Sequence, residues 1–89
     1  MRLDDLKFNR HESIPGAWKA YATFPDGVSV SVMKGPHPAV KCGPTTFEVC
    51  ILRHRQPTPV QIDGESIGPT VADCSPYLLS QILSVLTPQ

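Results

Sequence analysis

Three cysteines, three histidines and eight acidic residues are the groups in this chain with the chemistry of ligands, nucleophiles or bases. Cys50 and His54 stand four apart, which puts them on one face of a strand. His37, Lys41 and Cys42 fall close together, where the neighbouring base and cation could lower the thiol's pKa. His11 and Cys74 could add further ligands. A structural zinc site, however, draws on four nitrogen or sulfur ligands, usually with closely spaced pairs. No Cys-x-x-Cys or comparable pair occurs, so no metal is expected. A cysteine nucleophile needs a base and an oxyanion stabiliser held beside it, and no pattern here supplies them. The carboxylates Asp4/Asp5 and Asp63/Glu65 read as solvated charge. Gly35, Gly43, Gly64 and Gly68 are scattered turn residues, not a phosphate-cradling loop. The reading is therefore of no catalytic residue, no cofactor and no enzyme.

Charge offers a second candidate chemistry. Lys34, Lys41, Arg53 and Arg55, with Arg10, could form a basic edge for nucleic acid. The formal net charge is nevertheless zero, and no aromatic residue interleaves the run Arg53-His54-Arg55. Nucleic-acid domains carry a positive excess, so this reading ranks second. The charge is unevenly distributed: residues 1–55 hold all eight Lys and Arg against five acids, and residues 56–89 hold three acids and no base.

The elements that must position these groups follow from periodicity and turn chemistry. Residues 17–33 read as a β-hairpin. Pro25-Asp26-Gly27 is a turn, and Val28, Val30 and Val32 alternate with Ser29, Ser31 and Met33 as in a half-buried strand. On the first arm Trp18, Ala20, Ala22 and Phe24 share one face, and Lys19, Tyr21 and Thr23 the other. A short strand over residues 8–12 precedes it, with a turn at Ile14-Pro15-Gly16. Residues 35–44 form a loop whose three prolines exclude a regular ladder. Residues 45–53 form the next strand, with Phe47, Val49 and Ile51 on one face. Residues 60–62 read as an edge strand, and residues 66–73 are ambiguous. Ser75 caps a helix that runs to Leu86, with Pro76 at its first position. Leu78, Leu79, Ile82, Leu83, Val85 and Leu86 fill its apolar arc.

The chain thus reads as one small α+β domain over residues 1–89, an antiparallel meander of three or four strands with a C-terminal amphipathic helix across one face. Trp18, Phe24, Val30, Val32, Phe47, Val49, Ile51, Leu79, Ile82 and Leu86 should form its core. One helix covers one face. The other face then shows Tyr21, Met33 and Leu52, and the helix shows the uncharged side chains Tyr77, Gln81 and Ser84. These six are the candidate protein-contact residues, and a homodimer through the open sheet face is expected.

The run Phe24-Pro25-Asp26-Gly27, then Ser31-Val32, Gly35-Pro36 and Phe47-Glu48-Val49 resembles small phage and prophage accessory proteins. The resemblance covers about half of the chain and rests on turn and strand residues. It implies a non-catalytic module that binds a host protein complex, for example as an inhibitor of a host defence system. The charged N-terminal stretch does not read as a secretory leader. No apolar run reaches membrane-spanning length. With an odd number of cysteines, the expectation is reduced thiols in a cytoplasm, that of the host cell for a phage-encoded chain.

Overall fold

A computed structural model describes residues 1–88. The fold is α+β, an antiparallel sheet of several strands with one C-terminal helix. In chain order the strands are β1 (Asn9–Arg10), β2 (Trp18–Thr23), β3 (Val28–Lys34), β4 (Phe47–Arg53), β5 (Gln56–Pro57), β6 (Val60–Ile62), β7 (Glu65–Ile67) and β8 (Thr70–Cys74), followed by α1 (Pro76–Leu86). A single 3₁₀ turn at Leu3–Asp5 precedes them.

The expected meander is present as β1-β2-β3-β4-β5, and β8 returns to pair with β4, so the main sheet has six strands rather than three or four. β4 is its centre. β3 lies along one side, and β8 and then β5 share the other. The first strand is shorter than residues 8–12. The expected edge strand at Val60–Ile62 is present, not on the main sheet but in a separate two-stranded hairpin with β7 around Asp63-Gly64. Both turn residues there have positive φ, 52° and 82°, as a two-residue hairpin turn of this hand requires. The ambiguous 66–73 stretch divides between β7 and β8. Its alternation is broken because Ala72 and Asp73 together oppose Glu48 in a bulge.

Register explains the core. Ala20 pairs with Val32 and Val32 with Val49; Ala22 pairs with Val30 and Val30 with Ile51. These side chains line one face, and all six are at most 3% exposed. The helix supplies Leu79, Ile82 and Leu83 to the same cluster, each fully buried. Burying one such side chain contributes about 1.5–3 kcal/mol. The Ser75 hydroxyl accepts the Leu78 amide at 3.0 Å, closing the helix N-terminus as its residue type predicts.

One expected core residue, Trp18, and one residue of the helix's apolar arc, Val85, behave differently. Trp18 shares the face of Ala20 and Ala22 but lies beyond the part that is covered, and it is 37% exposed. Val85, placed on the apolar arc, is half exposed. Phe24, Phe47 and Leu86 pack against the buried cluster from its margin.

Candidate functional site

Two surfaces carry the candidate residues. The first lies at the end of the sheet where β1 begins and β3 ends. Arg10 pairs with Trp18, and Trp18 with Lys34. One step past the Met33–Glu48 pair, Phe47 continues the line on β4. The row alternates cation, aromatic, cation, aromatic across four strands. The Arg10 guanidinium lies 5.5 Å from the Trp18 ring centroid. The Lys34 ammonium sits 4.1 Å from the Phe8 ring, and Phe8 stacks on Phe47 at 6.1 Å between centroids.

A cleft of about 490 Å³ opens on this row, walled by Trp18, Lys34, Phe47 and the 35–46 loop. The loop is tied down at several points. Gly43 donates its amide to Thr46 Oγ1 at 2.7 Å, and that hydroxyl donates to Asp73 Oδ1 at 3.2 Å. The Asp73 amide reaches the Lys41 carbonyl at 2.9 Å, and the Lys41 amide donates to Glu48 Oε1 at 3.1 Å. Val40 is buried. The loop's entry rests on Gly35, whose φ is +133° and whose α-carbon faces the Gly16–Ala17 backbone so closely that no side chain fits between them.

The second surface is the open face of the sheet. Register lays it out as a grid: Lys19, Met33 and Glu48 in one row, Tyr21, Ser31 and Cys50 in the next, Thr23, Ser29 and Leu52 in the third. Charge is confined to the first row. Tyr21 is 62% exposed, and its hydroxyl donates to Ser29 Oγ at 3.0 Å. Met33, Cys50 and Leu52 are half-buried. On the helix, Tyr77 and Ser84 are exposed and Gln81 is half-buried.

The expected basic edge is divided. Lys34 and Lys41 belong to the cleft end. Arg53 pairs with Val28 at the far end of β3, six residues from Lys34, roughly 20 Å at ~3.3 Å per residue. Arg55 sits with His54 in the β4–β5 turn, both at positive φ, so His54 is not on the strand face of Cys50. The other two histidines serve as turn acceptors. His11 Nδ1 takes the Ser13 and Ile14 amides, each at 3.1 Å, and His37 Nδ1 takes the Ala39 amide at 3.0 Å. Among the described residues no three His, Cys, Asp or Glu side chains converge as a metal site would require, and no helix is long and apolar enough to cross a membrane. Sequence reasoning does not find the aromatic residues of the cleft as a site because they belong to different strands, and Trp18 reads there as a core residue.

The three cysteines differ in environment. Cys42 and Cys50 are partly accessible, whereas Cys74 is buried, and burial pushes its thiol from 9.0 up to about 11. The folded state therefore holds this proton more tightly than the unfolded chain. That stability is fully present below pH 9 and is lost as pH rises from about 9 toward 11, by up to ~2 kcal/mol. A disulfide reagent near pH 8 should label two thiols readily in the native protein and the third only on unfolding. Cys74→Ala should flatten the alkaline loss of stability. Fast labelling of all three thiols would refute the assignment.

Comparison of the chain with protein-family models, with curated proteins and with solved structures finds no match.

Proposed function

We infer that the protein is a non-catalytic binding module that docks another protein surface onto its open sheet face. The observation that carries this reading is the grid itself: two uncharged rows around exposed Tyr21 and half-buried Cys50 and Leu52, on a sheet whose other face is filled by α1. Solvated sheet faces alternate with charge, whereas interface centres are depleted of it and enriched in Tyr and Met. The resemblance of the Phe24–Val49 region to phage accessory proteins directs the search for a partner to host protein complexes.

The first occupant to test is a second copy of the chain, since one self-complementary patch suffices for a two-fold dimer. Sedimentation velocity should show a dimer for the wild type. Leu52→Lys should return a monomer that melts close to the wild-type temperature, because Leu52 lies outside the helix-covered core. A wild-type monomer at high concentration counts against self-association. Unfolding of Leu52→Lys would show that this face is structural.

A further inference from the structure

We propose that the cleft beside Trp18 is a binding site for single-stranded nucleic acid, with one base stacked on the aromatic wall and the flanking phosphates held by Arg10, Lys34 and Lys41. The argument has three parts.

The first is charge. The ion pair among the described residues is Lys19 with Glu12, at 3.4 Å. Among the described residues Arg10, Lys34 and Lys41 have no carboxylate partner; Arg10 and Lys34 lie against aromatic rings, and the Lys41 ammonium donates to the Pro38 carbonyl at 3.4 Å. The carboxylates nearest the loop, Glu48 and Asp73, accept from neutral donors, the Lys41 amide and the Thr46 hydroxyl, and form no ion pair with these cations. Three cations without an ion-pair partner, against the two carboxylates at the loop, leave this end of a chain with zero net charge open to an anionic ligand.

The second is the alternation. Neighbouring strands lie about 4.8 Å apart, so Arg10 and Lys34 flank Trp18 on the two adjacent strands, about 10 Å from one another. A polyanion crossing this row meets a cation, a ring and a cation in turn. Sequence-tolerant single-strand binding combines these same parts, a positive groove that tracks phosphates and aromatic side chains on which bases stack.

The third is shape. A cleft of about 490 Å³ is in the range of small-ligand sites, room for one nucleotide and not for a duplex. In a duplex the faces of each base are covered by its neighbours, and none is free to meet Trp18. An acidic peptide satisfies the charge but gives no reason for the row of rings.

Trp18 is the only tryptophan of the chain, so intrinsic fluorescence reads this site directly. The intact protein would be titrated at low salt with oligothymidylate and oligouridylate, with the hybridised duplex, with thymidine monophosphate and with polyglutamate. Saturable quenching by the single strands is expected, with the duplex and polyglutamate weaker by at least about tenfold. The logarithm of the affinity should fall against the logarithm of salt with a slope near −2, from about 0.7 per neutralised phosphate at three contacts. Lys34→Ala should weaken binding and reduce that slope by about 0.7. Trp18→Ala, followed by anisotropy of a labelled strand, should weaken it by about 5- to 150-fold. Arg53→Ala with Arg55→Ala, at the opposite end, should change neither; circular dichroism checks that each variant is folded. Absence of quenching at roughly 100 µM oligonucleotide, the weak end of non-specific binding, overturns the proposal. So does polyglutamate or duplex binding as tightly as the single strand, or a loss for the Arg53/Arg55 variant equal to that for Lys34→Ala.

Discussion

Gly35→Ala should lower the melting temperature by about 12–24 °C, the equivalent of ~3 kcal/mol in a domain of this size. Two costs combine. The backbone at Gly35 has φ +133°, a region that L side chains occupy only under strain of about 1–3 kcal/mol. The added methyl would also run into the Gly16 carbonyl oxygen and lie 2.9 Å from the Ala17 α-carbon. Both obstacles are backbone, so neither can rotate aside. Relief requires the loop to lift from the β1–β2 turn, which opens the cleft wall beside Trp18 and should shift its fluorescence. Gly16→Ala is the matched comparison. Its φ is +77°, but open space surrounds the added methyl, and only the conformational cost of about 1–2 kcal/mol applies. Equal melting temperatures for the two variants would mean that the loop does not rest on Gly16–Ala17.

Ile82→Ala should cost about 2–5 kcal/mol, the range for truncating a fully buried aliphatic side chain. Ile82 is fully buried within the cluster that joins α1 to Val30, Val32, Val49 and Ile51. Native domains are stable by only about 5–15 kcal/mol, and an 89-residue chain with a small core belongs near the lower end. The variant should therefore be close to its unfolding transition at physiological temperature. Urea unfolding should show a reduced midpoint with an unchanged slope. Ile82→Val, which removes one methylene, should cost about 0.5–1.5 kcal/mol. Val85→Ala, on the half-exposed side of the same helix, should change stability by no more than about 0.5 kcal/mol. If Val85→Ala were as damaging as Ile82→Ala, the helix would be rotated on the sheet.

The strongest local patterns translated directly into structure. Alternation in residues 28–33 set the face of β3, and Ser75-Pro76 set the start of α1, because both signals act over a few neighbouring residues. Position along a strand was harder to read. Trp18 was placed on the correct face with Ala20 and Ala22, yet burial is decided by how far the covering helix extends, and Trp18 lies past its reach. β8 was illegible because the bulge at Ala72-Asp73 erases the alternation, and the turn at His54-Arg55 because neither residue announces positive φ. The cleft was the least legible feature. Arg10, Trp18, Lys34 and Phe47 are separated by 8, 16 and 13 positions along the chain, and only strand pairing brings them into line. The same pairing removes Arg53 and Arg55 from the company of Lys34.

The central place of β4 also bears on how the protein is made. Its β3 side can zip as soon as residues 28–53 are available, because that hairpin is local. Its other side waits for β8, and its apolar face for α1. Some thirty-five residues separate Ile51 from Leu86. At translation rates of about 5–20 residues per second, that interval lasts on the order of two to seven seconds. Through it, Val30, Val32, Val49 and Ile51 form a naked β-surface on the nascent chain, the kind of transient target that chaperones engage and that neighbouring chains on a polysome can mistake for a partner.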